Sequence, residues 1–200
     1  MSPTRNLCCL LALLAIGGPT RSLAIHPDWA PPTLVDSVGN VGQFASLALD
    51  PVTGRPAIGY LAVTGLGQLR FAEFNGTNWT ISTVATGVGL FDVFTSLAYF
   101  PDGRPAIAYY DYQRGRLRYA ERSAGVWTIV TVDGNDVPPF ANVGAHCSLR
   151  ILPNGNPAIA YVDRAGTGSL KYAERVGGVW NKAVVAPSGA GGGVSLAVVE

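Results

Sequence analysis

Gly54-Arg-Pro-Ala-Ile-Gly-Tyr60 returns as Gly103-Arg-Pro-Ala-Ile-Ala-Tyr109, and again as Gly155-Asn-Pro-Ala-Ile-Ala-Tyr161. The offsets are 49 and 52 residues. A period near fifty, made of short apolar runs and Gly/Pro turns, is the mark of β-propeller blades. Each such unit is too thin to bury its own faces and must stack on its neighbours.

Working outward, each unit reads as four strands. The first is Ala45–Leu49, Thr95–Tyr99 or Cys147–Ile151. A turn follows, ending in Gly54, Gly103 or Gly155; Asp-Gly and Asn-Gly between apolar runs are strong hairpin signals because both residues accept positive φ. The second strand is Pro56–Tyr60, Pro105–Asp111 or Pro157–Asp163, with proline tolerated at its first residue. The third is Leu69–Glu73, Leu117–Glu121 or Leu170–Glu174, and the fourth opens on Trp79, Trp127 or Trp180. Ala106-Ile-Ala-Tyr-Tyr110 is apolar on both faces, as a strand covered on both sides must be.

The expected fold is therefore all-β: a β-propeller of four-stranded antiparallel blades, with three complete blades at about 41–87, 88–134 and 135–187. Partial blades are expected at 25–40 and 188–200. Trp29–Asp36 resembles the fourth strand Trp127–Asp133 with one extra residue, and Val194–Val198 matches a first strand. These two edges lack partners, so the expectation is an incomplete ring. The missing blades would lie further along the same chain or in other copies, since an unpaired apolar edge invites pairing.

Composition agrees. Of 200 residues 48% are hydrophobic and 14% charged, with 25 Gly and 14 Pro, which suits many tight turns rather than helices. Arg5, the apolar stretch Leu7–Gly18 and the small-residue end Ser22-Leu-Ala24 follow the order of a secretory signal peptide over 1–24, cleaved after Ala24. A secreted or periplasmic location follows. The apolar stretch is too short for a membrane span. Cleavage removes Cys8 and Cys9, leaving Cys147 alone on an inner strand, where it acts as a small apolar residue. It also removes Arg5 and Arg21, so 12 basic residues face 13 acidic ones. That balance argues against nucleic acid as a partner.

The repeated Ser-Leu-x-x-x-Pro-x-Gly-x-Pro-Ala-Ile-Ala-Tyr, followed by Leu-x-Tyr-Ala-Glu and a Gly…Trp turn, resembles blades of secreted bacterial propellers grouped with fucose-lectin-like and sialidase-like repeats. The resemblance covers roughly residues 40–200 and implies the fold. It implies no inherited site. The arginine and glutamate with which fucose-binding propellers grip the sugar fall on Ile58, Ile107, Ile159 and on Phe71, Tyr119, Tyr172. Of the sialidase box, Ala124-Gly-Val-Trp127 and Gly177-Gly-Val-Trp180 keep only glycine and tryptophan.

The remaining candidates are residues that could face a ligand. Trp79, Trp127 and Trp180 could stack on the C–H face of a sugar, or cover a blade edge and pack on the next blade. Tyr110, Asp111 and Asp163 end second strands, where loops line one face of the disc; the aspartates could accept sugar hydroxyls or cap turns. The arginines at 55 and 104 recur at one turn position; those at 70 and 118 with Lys171, and Glu73, Glu121 and Glu174, recur in every blade, as scaffold does. His26 and His146 stand alone and make no metal set. No catalytic motif, metal site or cofactor is expected. The sequence points to a secreted, non-catalytic propeller that binds glycans or other cell-surface polymers. The alternatives are a piece of a sialidase-type glycosidase and a protein-interaction scaffold.

Overall fold

Asp50, Asp102 and Asn154 stand in the turns that fold each repeat's first two strands together. Their side-chain Oδ1 atoms accept from the backbone N–H of Val52, Arg104 and Asn156 at 2.9, 3.2 and 2.9 Å. Gly54, Gly103 and Gly155 close these turns at φ of 69°, 85° and 83°, which an L side chain resists.

The computed structural model describes residues 33–166 and 168–198. Twelve strands form three four-stranded antiparallel sheets. The first holds β1 (Asn40–Leu49), β2 (Pro56–Val63), β3 (Gln68–Phe74) and β4 (Trp79–Thr86). The second holds β5 (Thr95–Tyr99), β6 (Pro105–Asp111), β7 (Arg116–Ser123) and β8 (Val126–Asp133). The third holds β9 (Val143–Ile151), β10 (Pro157–Asp163), β11 (Ser169–Val176) and β12 (Val179–Ala186). Strands follow in chain order within every sheet. β1 lies beside β5, and β5 beside β9, so the first strands are innermost. This is a propeller-like partial ring of three blades. Among the described residues no helix is long and apolar enough to cross a membrane.

The blades pack through two cores. One joins the first and second blades through Leu61, Leu69, Phe71, Leu97, Ile107 and Tyr109. The other joins the second and third through Leu117, Tyr119, Leu149, Ile159 and Tyr161. β6, with a blade on either side, is buried along its whole length. Alanine and glycine at alternate positions let the sheets approach: the Ile107 side chain comes within 3.3 Å of where a Cβ on Gly59 would sit.

Three contacts recur across these seams, and a fourth joins the second blade to the third and flanks the first; together they explain most of the repeated residues. Ser46, Ser96 and Ser148 accept at Oγ from the backbone N–H of Leu97, Leu149 and Leu196 at 2.9, 2.9 and 3.0 Å. The segment containing Leu196 thus takes the place of a next first strand, although it pairs in no sheet. Glu73 holds Arg122 through two bonds of 2.9 and 2.5 Å, and Glu121 holds Arg175 at 3.0 Å. Trp127 packs edge-on against Phe71, and Trp180 against Tyr119, with centroids 5.3 and 5.1 Å apart.

The fourth contact is a carboxylate clamp. Asp133, at the end of β8, accepts from Tyr161 Oη at 2.9 Å, Lys171 Nζ at 3.2 Å and Lys182 Nζ at 2.9 Å. Asp36 likewise accepts from Tyr60 Oη at 2.7 Å and Arg70 Nη1 at 2.9 Å. The part of the predicted strand Trp29–Asp36 before residue 33, the leader at 1–24 and the start of the 25–40 partial blade lie outside the described residues. Residues 33–39 are not in a strand, yet Asp36 serves the first blade as Asp133 serves the third.

Candidate functional site

The antiparallel register sorts each blade into two ends. Pairs such as Leu49↔Pro56, Ala57↔Glu73 and Phe74↔Trp79 bring the tryptophans to the end with the first turn. Tyr110, Asp111 and Asp163 lie at the opposite end, beside the loops that join one blade to the next. The six sequence-predicted residues therefore do not form one site.

At the tryptophan end, the indoles of Trp127 and Trp180 fill the seams, and their Nε1 atoms are buried without a partner among the described residues. Trp79, in the first blade, sits 5.5 Å from Phe74. A cleft of about 660 Å³ opens near this end, lined by Pro51, Pro101, Pro153, Tyr99 and Arg150 among others. Its three prolines are equivalent residues of repeated turns.

At the other end the repeat breaks. Tyr110 is buried and donates its hydroxyl to Asn142 Oδ1 at 2.6 Å. Asp111 is buried and accepts from Arg116 Nε at 3.1 Å, leaving its Oδ1 without a partner. Arg116 also reaches Asp136. Asp163 pairs with Lys171 Nζ at 2.8 Å and caps its turn by accepting from Ala165 N–H at 2.9 Å. Tyr110 and Asp111 come together with their partners; Asp163 belongs to the neighbouring blade's loop.

Inward of these residues lies a group that the motifs do not announce. Phe44, Phe94 and His146 each stand two residues before the Ser-Leu pair of the inner strand and have φ of 51°, 32° and 52°. Bulky side chains rarely adopt this conformation, which costs about 1–3 kcal/mol per residue. At Phe44 and His146 the strand bulges: Gln43↔Leu61 is followed by Ser46↔Gly59, and Ser148↔Ala160 by Ala145↔Val162. Such a bulge re-aims a side chain out of the sheet. The three rings form a ladder, Phe44 to Phe94 at 5.2 Å and Phe94 to His146 at 4.1 Å. They line an open cleft of about 250 Å³ with Ala45, Thr95 and Cys147. Thr95 Oγ1 and Cys147 Sγ donate to the carbonyls of Phe44 and Phe94 at 2.5 and 3.2 Å, which ties the ladder down. Burial pushes the Cys147 thiol up to about 12, so it stays protonated and inert.

Arg164 completes the cluster. Its Nη1 pairs with Asp92 at 3.0 Å, its Nη2 contacts His146 Nε2 at 3.1 Å, and its guanidinium lies 5.5 Å from the Phe94 ring centre. Arginine can only donate, so His146 Nε2 accepts and the ring proton sits on Nδ1. Burial, then the adjacent Arg164 charge, holds the His146 pKa below the ordinary histidine value, with Asp92 opposing. The Arg164 N–H donates to the Asn142 carbonyl at 2.7 Å, joining this group to Tyr110. Phe91 and Tyr112 flank it, edge to face at 6.2 Å and exposed by 65% and 44%.

A signal for these residues exists in the sequence. His146 stands where the other units have Phe44 and Phe94, and Arg164 stands where they have Val63 and Tyr112. One site serving a whole ring must depart from the repeat, and these positions do. Among the described residues no group of three or more His, Cys, Asp or Glu is placed to hold a metal.

No protein-family model matches the chain, and no curated protein matches it. Among solved structures, the chain is similar to a protein of unknown function from Dyadobacter fermentans, with 13% identity over 72% of this chain and a TM-score of 0.53. The chain spans 42% of that protein's length. It also overlaps a fucose lectin from Kordia zhangzhouensis, solved in complex with methyl-fucoside, with 12% identity and a TM-score of 0.46. That overlap covers 71% of this chain and 99% of the lectin. The first is a likeness of fold, and at such identities no residue's role passes across.

Proposed function

We propose that this propeller is a secreted, non-catalytic module that binds neutral glycans at the disc face carrying Asp92, Asn142, His146 and Arg164. The observation that supports the reading is the repeat-breaking cluster itself, held on backbone that a bulky residue adopts only when its surroundings compel it. Its chemistry suits a polyhydroxyl ligand. Arg164 and Asp92 cancel in charge, while Arg164, neutral His146 and the Asn142 amide offer donors and acceptors. Phe91 and Tyr112 offer exposed aromatic surface for the C–H face of a sugar. Tyr110, Asp111 and Asp163 belong to the supporting rim in this reading, and the tryptophans to the opposite end.

A glycan array probed with the full chain tests this. Binding to at least one neutral glycan is expected, and Arg164→Ala should weaken it about tenfold or more, as loss of a hydrogen bond to a charged group does. A wild-type protein silent across a broad array removes the proposal. Secretion is tested separately: N-terminal sequencing of exported protein should begin at Ile25, and a retained Met1 would exclude the leader.

A further inference from the structure

The carboxylate clamp occurs on either side of the molecule and is missing in the middle. Its parts are a tyrosine on the second strand, a basic residue on the third, and an aspartate from the preceding unit. Asp36 meets Tyr60 and Arg70, and Asp133 meets Tyr161 and Lys171. Between the first and second blades, Tyr109 and Arg118 stand in the corresponding positions. The residue that should face them is Ala85, six after Trp79 as Asp133 is six after Trp127. Ala85 packs on the same core cluster as Tyr109, so it lies in this seam.

The donors are left without an acceptor. Arg118 makes no ion pair or side-chain hydrogen bond among the described residues, and its Nε is buried. Tyr109 is 2% exposed, and its hydroxyl likewise has no partner among the described residues. A buried guanidinium N–H with nothing to donate to weakens the fold, so retaining Arg118 without the acid is a cost that a ligand would offset. Arg114 and Arg116 precede Arg118 on the same turn and strand and are matched by Asp111 and Asp136, so Arg118 carries the one unpaired charge of this group among the described residues.

We infer that the seam between the first and second blades is a receptor for a carboxylate carried by a ligand. The carboxylate takes the place that Asp36 and Asp133 fill in the other seams, accepting from Tyr109 Oη and the Arg118 guanidinium. Burial pushes the Tyr109 hydroxyl up to about 12, so it remains a donor across the physiological range. The site is separate from the disc-face cluster and does not depend on it.

The test is nitrogen-15 NMR of the Arg118 Nε–Hε group in the full chain, titrated with sodium acetate, with glucuronate, and with methyl glucoside as a neutral control. A saturable shift with both acids and none with the glucoside supports the site. Glucuronate binding about tenfold tighter than acetate would assign the carboxylate to a sugar acid, and equal affinities to small carboxylates at large. In Ala85→Asp the Arg118 signal should move without added acid and then ignore the titration. Should that variant misfold, Tyr109→Phe keeps the side-chain volume and should weaken acetate binding about tenfold. No saturable shift in the wild type, or an undiminished response in either folded variant, overturns the inference.

Discussion

Asp133→Ala would show how much one clamp contributes. The Asp133 side chain is 13% exposed and accepts from three donors. Lys182 is 45% exposed and returns to water at little cost. Lys171 keeps Asp163 at 2.8 Å. Tyr161 has no such recourse: it is 0% exposed, and without Asp133 its hydroxyl is left unpaired. An orphaned buried hydroxyl costs about 1–3 kcal/mol, and a lost charged hydrogen bond adds to that, less the relief of exposing a buried carboxylate. A net loss of about 2–3 kcal/mol is expected. At about 2–4 °C per kcal/mol for a chain of this size, the melting midpoint should fall by about 4–12 °C. Urea denaturation of Asp133→Ala, Tyr161→Phe and the double variant measures the coupling directly. Tyr161→Phe should cost less than Asp133→Ala and should recover part of the loss when combined with it. Strictly additive single-variant losses, or a change under about 0.5 kcal/mol for Asp133→Ala, would refute the clamp.

The acid limb gives a second test of the same residue. Burial alone would raise the Asp133 pKa, but bonds from Lys182 and Tyr161 and the Lys171 charge outweigh it and hold the carboxyl below its usual value. Its stabilisation is therefore complete above the unfolded value, near pH 4, and fades as pH falls through the lower folded value; Asp133→Asn should flatten that limb. His146 works at a different pH. Its folded pKa is depressed, so protonation favours the unfolded chain, and stability should fall as pH drops below about 6.5; Arg164→Met should raise the His146 pKa in an NMR titration. Leu47 and Leu149 share a repeat position but are 63% and 0% exposed, so Leu149→Ala should cost about 2–5 kcal/mol and Leu47→Ala under about 0.5 kcal/mol in chemical denaturation. Gly144 has φ 113°, and an added Cβ would meet Leu117 Cα at 2.7 Å, so Gly144→Ala should unfold the third blade's edge at markedly lower urea.

The fold was legible because propeller physics writes itself into every unit. Tyr60, Tyr109 and Tyr161, or Ser46, Ser96 and Ser148, recur since each seam must be made again. The strand starts were less legible. β1 begins at Asn40 and β9 at Val143, ahead of the expected Ala45 and Cys147, because each strand continues through a bulge. Nothing local marks Phe44 or His146 for positive φ, which both adopt where their strands bulge. The cluster was harder still. Arg164 and Asp92 are 72 residues apart, and His146 reads as an isolated histidine until the blades stack. The tryptophans were ambiguous for the opposite reason: repetition fits both a sugar platform and a seam filler, and only the ring contacts of Trp127 and Trp180 show what they touch.

The two cores share no residue, and the second blade separates them. Such a stack can come apart in instalments, since each interface is lost by itself. Amide hydrogen exchange should find its slowest protons in β6, which both interfaces guard, and faster ones in β1 and β12. Of the three blades, the second is thus the one whose substitutions can disturb both interfaces at once, since both cores draw on it.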